Sequence, residues 1–108
     1  MRILETNNYE ELSALAAEIL GAQVLLKPHC VLGLATGSSP VGTYQKLVES
    51  YRAGRLDFSQ TYTVNLDEYW GLSGEDPHSY RYFMERHLFQ QVNLKQEHTF
   101  LPDGTAAD

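Results

Sequence analysis

The sequence predicts an α/β fold in which a parallel sheet carries helices on its faces. Three observations lead there. Apolar runs of strand length alternate with segments of helical periodicity along the chain. The run Cys30-Val31-Leu32-Gly33-Leu34-Ala35 is apolar without polar alternation, which suits a strand covered on both faces. Capping residues also stand where strands hand over to helices, at Ser39-Pro40 and at Asp76-Pro77.

Taken in order, Arg2-Ile3-Leu4 is a short strand candidate. Asn8 reads as an N-cap with Glu11 in capping-box position, and Leu12, Leu15, Ala16, Ile19 and Leu26 follow helical spacing. A helix from Tyr9 to about Leu26 is expected, weakened at Gly21 and ended by Lys27-Pro28. The strand Cys30 to Ala35 follows. Ser39 as N-cap and Pro40 as first helical residue open a second helix, marked by Val41, Tyr44, Leu47, Val48 and Tyr51 and closed at Gly54. Thr61 to Leu66, rich in β-branched and aromatic residues, is the third strand. A loop from Gly71 to Glu75 leads to Asp76-Pro77 and a third helix with the stripe Tyr80, Phe83, Met84, His87, Leu88 and Gln91. Thr99-Phe100-Leu101 is a fourth strand, stopped by Pro102-Asp103-Gly104. The small polar tail Thr105 to Asp108 brings no closing element and reads as cut rather than finished.

Length and composition bound the function. At 108 residues and 43% apolar content the chain suits one domain with a single core. The net charge of −6 argues against nucleic acid and anionic membrane as main partners. It leaves room for a phosphorylated metabolite, since an anion site needs only a few aimed donors. No stretch approaches the roughly 18 apolar residues of a spanning helix. Met1-Arg2-Ile3-Leu4-Glu5 turns acidic at once, unlike a secretory leader. The single cysteine, Cys30, fits a reducing cytoplasm. A soluble cytoplasmic domain is expected.

Two loops carry chemistry. In a parallel sheet, ligands bind beyond the carboxyl ends of the strands. Thr36-Gly37-Ser38-Ser39 and Asp67-Glu68 both follow strands, so both emerge on one sheet edge. Gly37 permits close approach to a phosphate, Thr36, Ser38 and Ser39 bring hydroxyls, and the following helix brings its positive end. The same residues read equally well as a capped strand-to-helix turn. The P-loop pattern is incomplete, because Thr43 stands where it needs lysine.

Asp67 and Glu68 read as solvated loop acids, or one of them as a general base, since neighbours on an extended backbone point to opposite sides. Tyr69 and Trp70 read as core packing or as a wall against water. The histidines His29, His78, His87 and His98 lack metal-ligand spacing, so no metal is expected, and His87 reads as partly buried. Cys30 reads as inert packing, and Arg52, Arg55, Arg81 and Arg86 as solvated helix faces. No Ser-His-Asp arrangement is defined.

Leu32-Gly33-Leu34-Ala35-Thr36-Gly37-Ser38-Ser39-Pro40, then Thr43-Tyr44, then Val64-Asn65-Leu66-Asp67-Glu68-Tyr69-Trp70-Gly71-Leu72 together resemble the glucosamine-6-phosphate deaminase (isomerising) family. Asp76-Pro77-His78-Ser79-Tyr80, Phe83-Met84 and the early Tyr9-Glu10-Glu11-Leu12 continue the resemblance in register. It implies a Rossmann-like fold of the deaminase and ribose-phosphate isomerase type, with residues 1–108 the N-terminal portion of a single sugar-phosphate isomerase/deaminase domain. The implied reaction turns glucosamine 6-phosphate and water into fructose 6-phosphate and ammonia, with neither metal nor organic cofactor. By the family pattern Asp67 matches the base that moves the C2 proton to C1, and Thr36, Gly37, Ser38 and Ser39 match the loop that holds the substrate phosphate. Glu68 receives no catalytic role.

Family members run well over twice this length. Their later Asp, His and Glu serve ring opening, and a basic residue for the phosphate also comes from there. The sheet of the chain by itself is therefore expected to leave an edge or face uncovered. A 6-phosphogluconolactonase-like hydrolase and a non-catalytic sugar-phosphate-binding fragment are the alternatives, and Asn65-Leu66-Asp67-Glu68-Tyr69 favours the deaminase. Oligomerisation is compatible with all three.

Overall fold

A computed structural model describes residues 8–65 and 76–102. The strand expected at Arg2 to Leu4, the loop Gly71 to Glu75 and the tail Thr105 to Asp108 lie outside the described residues.

Helix α1, Tyr9–Leu26, opens as its sequence demands: the Asn8 side-chain oxygen accepts from the Glu11 amide at 2.8 Å. Its buried side differs from the expected one. Ser13, Ala17, Gly21 and Val24 are buried, while Leu12 and Ile19 are each 49% exposed and Leu26 is 79% exposed. The helix is apolar nearly all round, so spacing alone does not choose its inner face. Close approach to its neighbours chooses the stripe of small residues.

The reason lies in helix α2, Val41–Arg52. Gly42 meets α1 so closely that a Cβ there would stand 2.3 Å from Ser13 Oγ and 2.9 Å from Tyr9 Cε2. Farther along α1, Gly21 faces Leu56 at ordinary contact distance. An ion pair from Lys46 Nζ to Glu10 Oε1 at 2.6 Å fastens the outside of the α1–α2 contact. Gly42→Ala is therefore expected to cost about 1–3 kcal/mol by overpacking. Denaturant unfolding of the protein carrying this change checks it, and an unchanged midpoint would show that the helices separate freely here.

Helix α2 closes as the sequence signals, with Ala53 as its C-cap. Gly54 adopts φ +78, its amide donates to Tyr51 O at 3.0 Å, and the Arg55 amide donates to Ser50 O at 2.9 Å. This pair of bonds is a Schellman closure, for which glycine is the favoured residue.

Strands β1 (Val31–Leu34), β2 (Tyr62–Asn65) and β3 (Thr99–Phe100) form a parallel sheet in the order β1-β2-β3. Val31 pairs with Tyr62 and Leu34 with Asn65, while Thr63 pairs with Thr99 and Val64 with Phe100. One face packs on the helices. Leu32, Thr63, Asn65 and Thr99 are buried there with Val24, Leu47, Phe58, Met84, Leu88 and Phe89. Full burial of each large apolar side chain stabilises the domain by roughly 1.5–3 kcal/mol.

Among the described residues no helix covers the other face. Val31 is 62% exposed and Phe100 51% exposed. Tyr62 stacks between His98, at 4.0 Å between ring centres, and Phe100, at 6.4 Å. Among the described residues, the strand expected to be covered on both sides is thus covered on one.

The third helix starts later than expected. Asp76-Pro77 forms a turn in which Asp76 Oδ1 accepts from the His78 amide at 2.9 Å. Ser79 is the cap, accepting from the Tyr82 amide at 3.0 Å, and helix α3 spans Tyr80–Met84. The hydrogen bonding then widens to a π turn over Glu85–Phe89, with the Gln90 amide donating to Glu85 O at 3.0 Å. The added residue rotates the stripe, so Phe89 joins Met84 and Leu88 inside while Gln91 stays exposed.

Arg81 is the other correction. It does not sit on a solvated face: its guanidinium donates to Thr99 Oγ1 at 2.7 Å and to Thr99 O at 3.2 Å, and it lies over the Phe89 ring. This arginine ties α3 to β3. Arg52, Arg55 and Arg86 are exposed as expected. Among the described residues no helix is long and apolar enough to cross a membrane.

Candidate functional site

The expected phosphate loop lies where β1 gives way to α2. Ala35 leaves the strand held by a tyrosine from α2: its amide donates to Tyr44 Oη at 3.1 Å, and the phenol donates back to the Ala35 carbonyl. Tyr44 is buried, and burial pushes its phenol up to about 12. Its two bonds fix both polar groups of the last residue before Thr36.

A raised phenol has a consequence for stability. The folded protein keeps the Tyr44 proton in a range where the unfolded chain, near 10, has released it. The native state then binds more protons, and stability falls as pH rises from about 10 towards 12. Tyr44→Phe is expected to flatten this alkaline loss relative to the parent, as measured by denaturant unfolding across that range. Parallel curves for the two proteins would contradict it.

Beyond Ala35, Thr36 is half-buried while Gly37, Ser38 and Ser39 are exposed. Gly37 adopts φ +104, a conformation open to glycine and strained for other residues. Among the described residues the amides of Gly37, Ser38 and Ser39 find no acceptor. Donors and hydroxyls thus stand together at the edge where β1 ends.

The expected cap at this helix is corrected. Helix α2 begins at Val41 rather than Pro40, with Pro40 (φ −85, ψ −3) in the cap position and no side chain of its own segment capping it. The duty falls to Tyr9 at the start of α1. Tyr9 Oη accepts from the Gly42 amide at 2.8 Å and donates to Ser38 O at 3.1 Å. Ser39 is left out of the cap, so its hydroxyl is not consumed by the helix. No local pattern around Tyr9 announces this role, because the bond joins elements remote in sequence.

The neighbouring strand ends level with β1. Asn65, the last residue of β2, pairs with Leu34, and its side-chain amide donates to Leu34 O at 3.0 Å. Asn65 is buried and locks the two strand ends together, a task the sequence reading did not assign it. Asp67, the expected base, lies outside the described residues, as do Glu68, Tyr69 and Trp70.

The remaining candidates sort into structural roles. His87 is partly buried, as expected, against Phe83 at 4.4 Å between ring centres, and His78 lies 3.2 Å from Asp76. Among the described residues no cluster of His, Cys, Asp and Glu is placed to hold a metal ion. Cys30 is half-buried, and burial pushes its thiol above the usual range, away from thiolate chemistry. A cleft of about 690 Å³ between Arg81, Glu85, Arg86 and Gln96 does not include the Thr36–Ser39 loop.

No protein-family model matches the chain. It is 53% identical over 108 residues to a glucosamine-6-phosphate deaminase of Lachnoclostridium phytofermentans, covering all of this chain and 46% of that protein. It is 52% identical to the Clostridium tetani protein of the same name and 51% identical to that of Halothermothrix orenii, covering 45% of each. Among solved structures, a monomeric glucosamine-6-phosphate deaminase described as a missing link of the NagB superfamily superposes with a TM-score of 0.96 at 45% identity. All of this chain and 45% of that one are covered. The chain spans about half the length of the relatives it matches.

Proposed function

We propose that this chain, which corresponds to the N-terminal part of glucosamine-6-phosphate deaminase family members, contributes the phosphate loop and the proton-transferring carboxylate of such an enzyme. Residues 1–108 then form the N-terminal portion of a single sugar-phosphate isomerase/deaminase domain. The observation that carries this reading is the level exit of two parallel strands. β1 runs into Thr36-Gly37-Ser38-Ser39, and β2 ends at Asn65, opposite Leu34 and two residues before Asp67. Similarity to deaminases over all 108 residues of this chain supports it.

The loop suits a phosphoryl group in physical terms. A phosphate dianion takes donors from every side. Gly37, Ser38 and Ser39 offer unengaged amides, Thr36, Ser38 and Ser39 offer hydroxyls, and α2 presents its positive end. With the phosphoryl end anchored, the far end of a ring-opened amino sugar is brought to the exit of β2.

Asp67, as a carboxylate, takes the proton from C2, made acidic by the C1 aldehyde. The electron pair left on C2 forms the C1–C2 double bond while the C1=O π pair moves to O1, which takes a proton from the substrate's ammonium group, giving an enolamine. Return of the proton to C1 converts this to a ketimine at C2. Water adds to the C=N bond, ammonia leaves, and fructose 6-phosphate remains. Every atom is supplied by substrate and water, so the sequence needs no redox partner. A phosphorylated sugar as substrate goes with a cytoplasmic location.

The test distinguishes the deaminase from the lactonase alternative. The full-length protein carrying these residues is offered glucosamine 6-phosphate and, separately, 6-phosphogluconolactone. Ammonia from the first without hydrolysis of the second is expected. The opposite selectivity would overturn the proposal.

A further inference from the structure

We propose that Tyr9 is a positioning residue for the sugar phosphate: its phenol holds the Thr36–Ser39 loop in its binding shape and takes the capping bond that would otherwise draw in a loop serine. The inference rests on reading that loop as the phosphate site. It goes beyond that reading by assigning a part in ligand affinity to a residue on another helix.

The geometry is specific. A helix opening at Val41 leaves the Gly42 amide without a partner inside the helix. In most helices a Ser, Thr, Asp or Asn at the cap position satisfies that group. Here the position is held by Pro40, which has no side-chain acceptor, and Ser39 precedes it. Tyr9 Oη fills the gap at 2.8 Å. The same oxygen donates its proton to Ser38 O at 3.1 Å, so one phenol bridges the last turn of the loop and the first turn of the helix.

Tyr44 does the corresponding work at the other end, gripping Ala35 through both its amide and its carbonyl. The loop therefore hangs between two phenols, one before Thr36 and one after Ser39. Between them the amides of Gly37, Ser38 and Ser39 stay unengaged among the described residues. The clamp is built in by packing. Gly42 lets the Tyr9 ring lie against α2, and a Cβ at Gly42 would meet Tyr9 Cε2 at 2.9 Å.

Removing the phenol oxygen has a defined effect. The Gly42 amide loses its acceptor, and Ser39 Oγ becomes the nearby hydroxyl able to cap it. A serine turned to the helix no longer faces a ligand, and Ser38 O loses its tether. Preorganisation is lost while the ring and its packing remain.

The test uses the full-length protein and Tyr9→Phe, with glucosamine 6-phosphate as substrate and inorganic phosphate as competing probe. KM and the inhibition constant for phosphate are expected to rise together by roughly tenfold, the equivalent of one positioning hydrogen bond, with kcat falling less. Hydrogen exchange at the Gly42 amide should accelerate while the interior of α2 stays protected. Values of KM and phosphate affinity within about twofold of the parent would overturn the inference, whatever happens to thermal stability. A raised KM with unchanged phosphate affinity would overturn it too.

If the parent releases no ammonia, the proposed function fails. The clamp is then read from direct calorimetric binding of inorganic phosphate to parent and variant, where equal affinity, or no binding by either, contradicts it. Should Tyr9→Phe fail to fold, 4-fluorophenylalanine at position 9 keeps the ring and fills its volume while offering no proton to Ser38 O and at most a weak acceptor to Gly42. Phosphate affinity should then fall as for Tyr9→Phe. Parent-like phosphate affinity would contradict the clamp.

Discussion

Asp67→Asn is expected to reduce ammonia release from glucosamine 6-phosphate by about 10²–10⁴-fold, the range a positioned general base contributes. Asparagine keeps the shape of aspartate and removes its charge and basicity. The substrate is therefore expected to bind with little change in affinity while proton transfer from C2 stops. A second readout is exchange. In deuterated water the parent should place solvent deuterium at C1 of the product, and the variant should not wash the C2 proton out of the substrate. The change keeps the neighbouring strand anchor intact, since Asn65 holds Leu34 through its own amide. Full activity in Asp67→Asn would remove Asp67 from the chemistry. Glu68→Gln is the internal control, with no large loss expected.

Gly37→Val is the second large effect, and it acts through the backbone. A Cβ at Gly37 would meet nothing within 4 Å, so no clash drives the change. The cause is φ +104, where a β-branched residue is strained by about 1–3 kcal/mol. Relief comes by turning the peptide, which re-aims the very amides offered to the ligand. Phosphate affinity is expected to fall by about 10–100-fold, with only modest loss of folding stability because the loop is exposed. Isothermal titration with inorganic phosphate and with glucosamine 6-phosphate measures it. Unchanged binding would mean that the loop is a turn and nothing more.

Much of the framework was readable from local signals. Asn8 and Glu11 announce the start of α1, Gly54 announces the end of α2, and the bounds of β1 and β2 fall within one residue of the apolar runs. These features are written in neighbouring residues, where capping and propensity act. The departures arise where distant elements meet. Leu12 and Ile19 lose to Ser13 and Ala17 because Gly42 draws α2 against the small side chains of α1. Arg81 reads as a surface residue until β3 brings Thr99 beside it. The π turn at Glu85–Phe89 changes which residues face inward, and no spacing rule anticipates an inserted residue.

The candidate site divides in the same way. Thr36, Gly37, Ser38 and Ser39 stand out by composition and by their place after an apolar strand. Asp67 stands out by family resemblance, and its place in space lies outside the described residues. The three groups that shape the loop are less visible. Tyr9, Tyr44 and Asn65 look like helix and strand residues in sequence, and only the fold brings their polar ends to Ser38, Ala35 and Leu34.

In the proposed division of labour the loop after β1 holds a phosphoryl group while Asp67, two residues beyond Asn65 in sequence, works on the amino sugar attached to it. Its most direct test is ammonia release by the full-length protein from glucosamine 6-phosphate and from glucosamine, with fructose 6-phosphate measured alongside. Ammonia and fructose 6-phosphate in equal amounts from the phosphorylated sugar, with no release from glucosamine, is the result expected. Release that is indifferent to the phosphate, or none from the phosphorylated sugar, would contradict this division of labour.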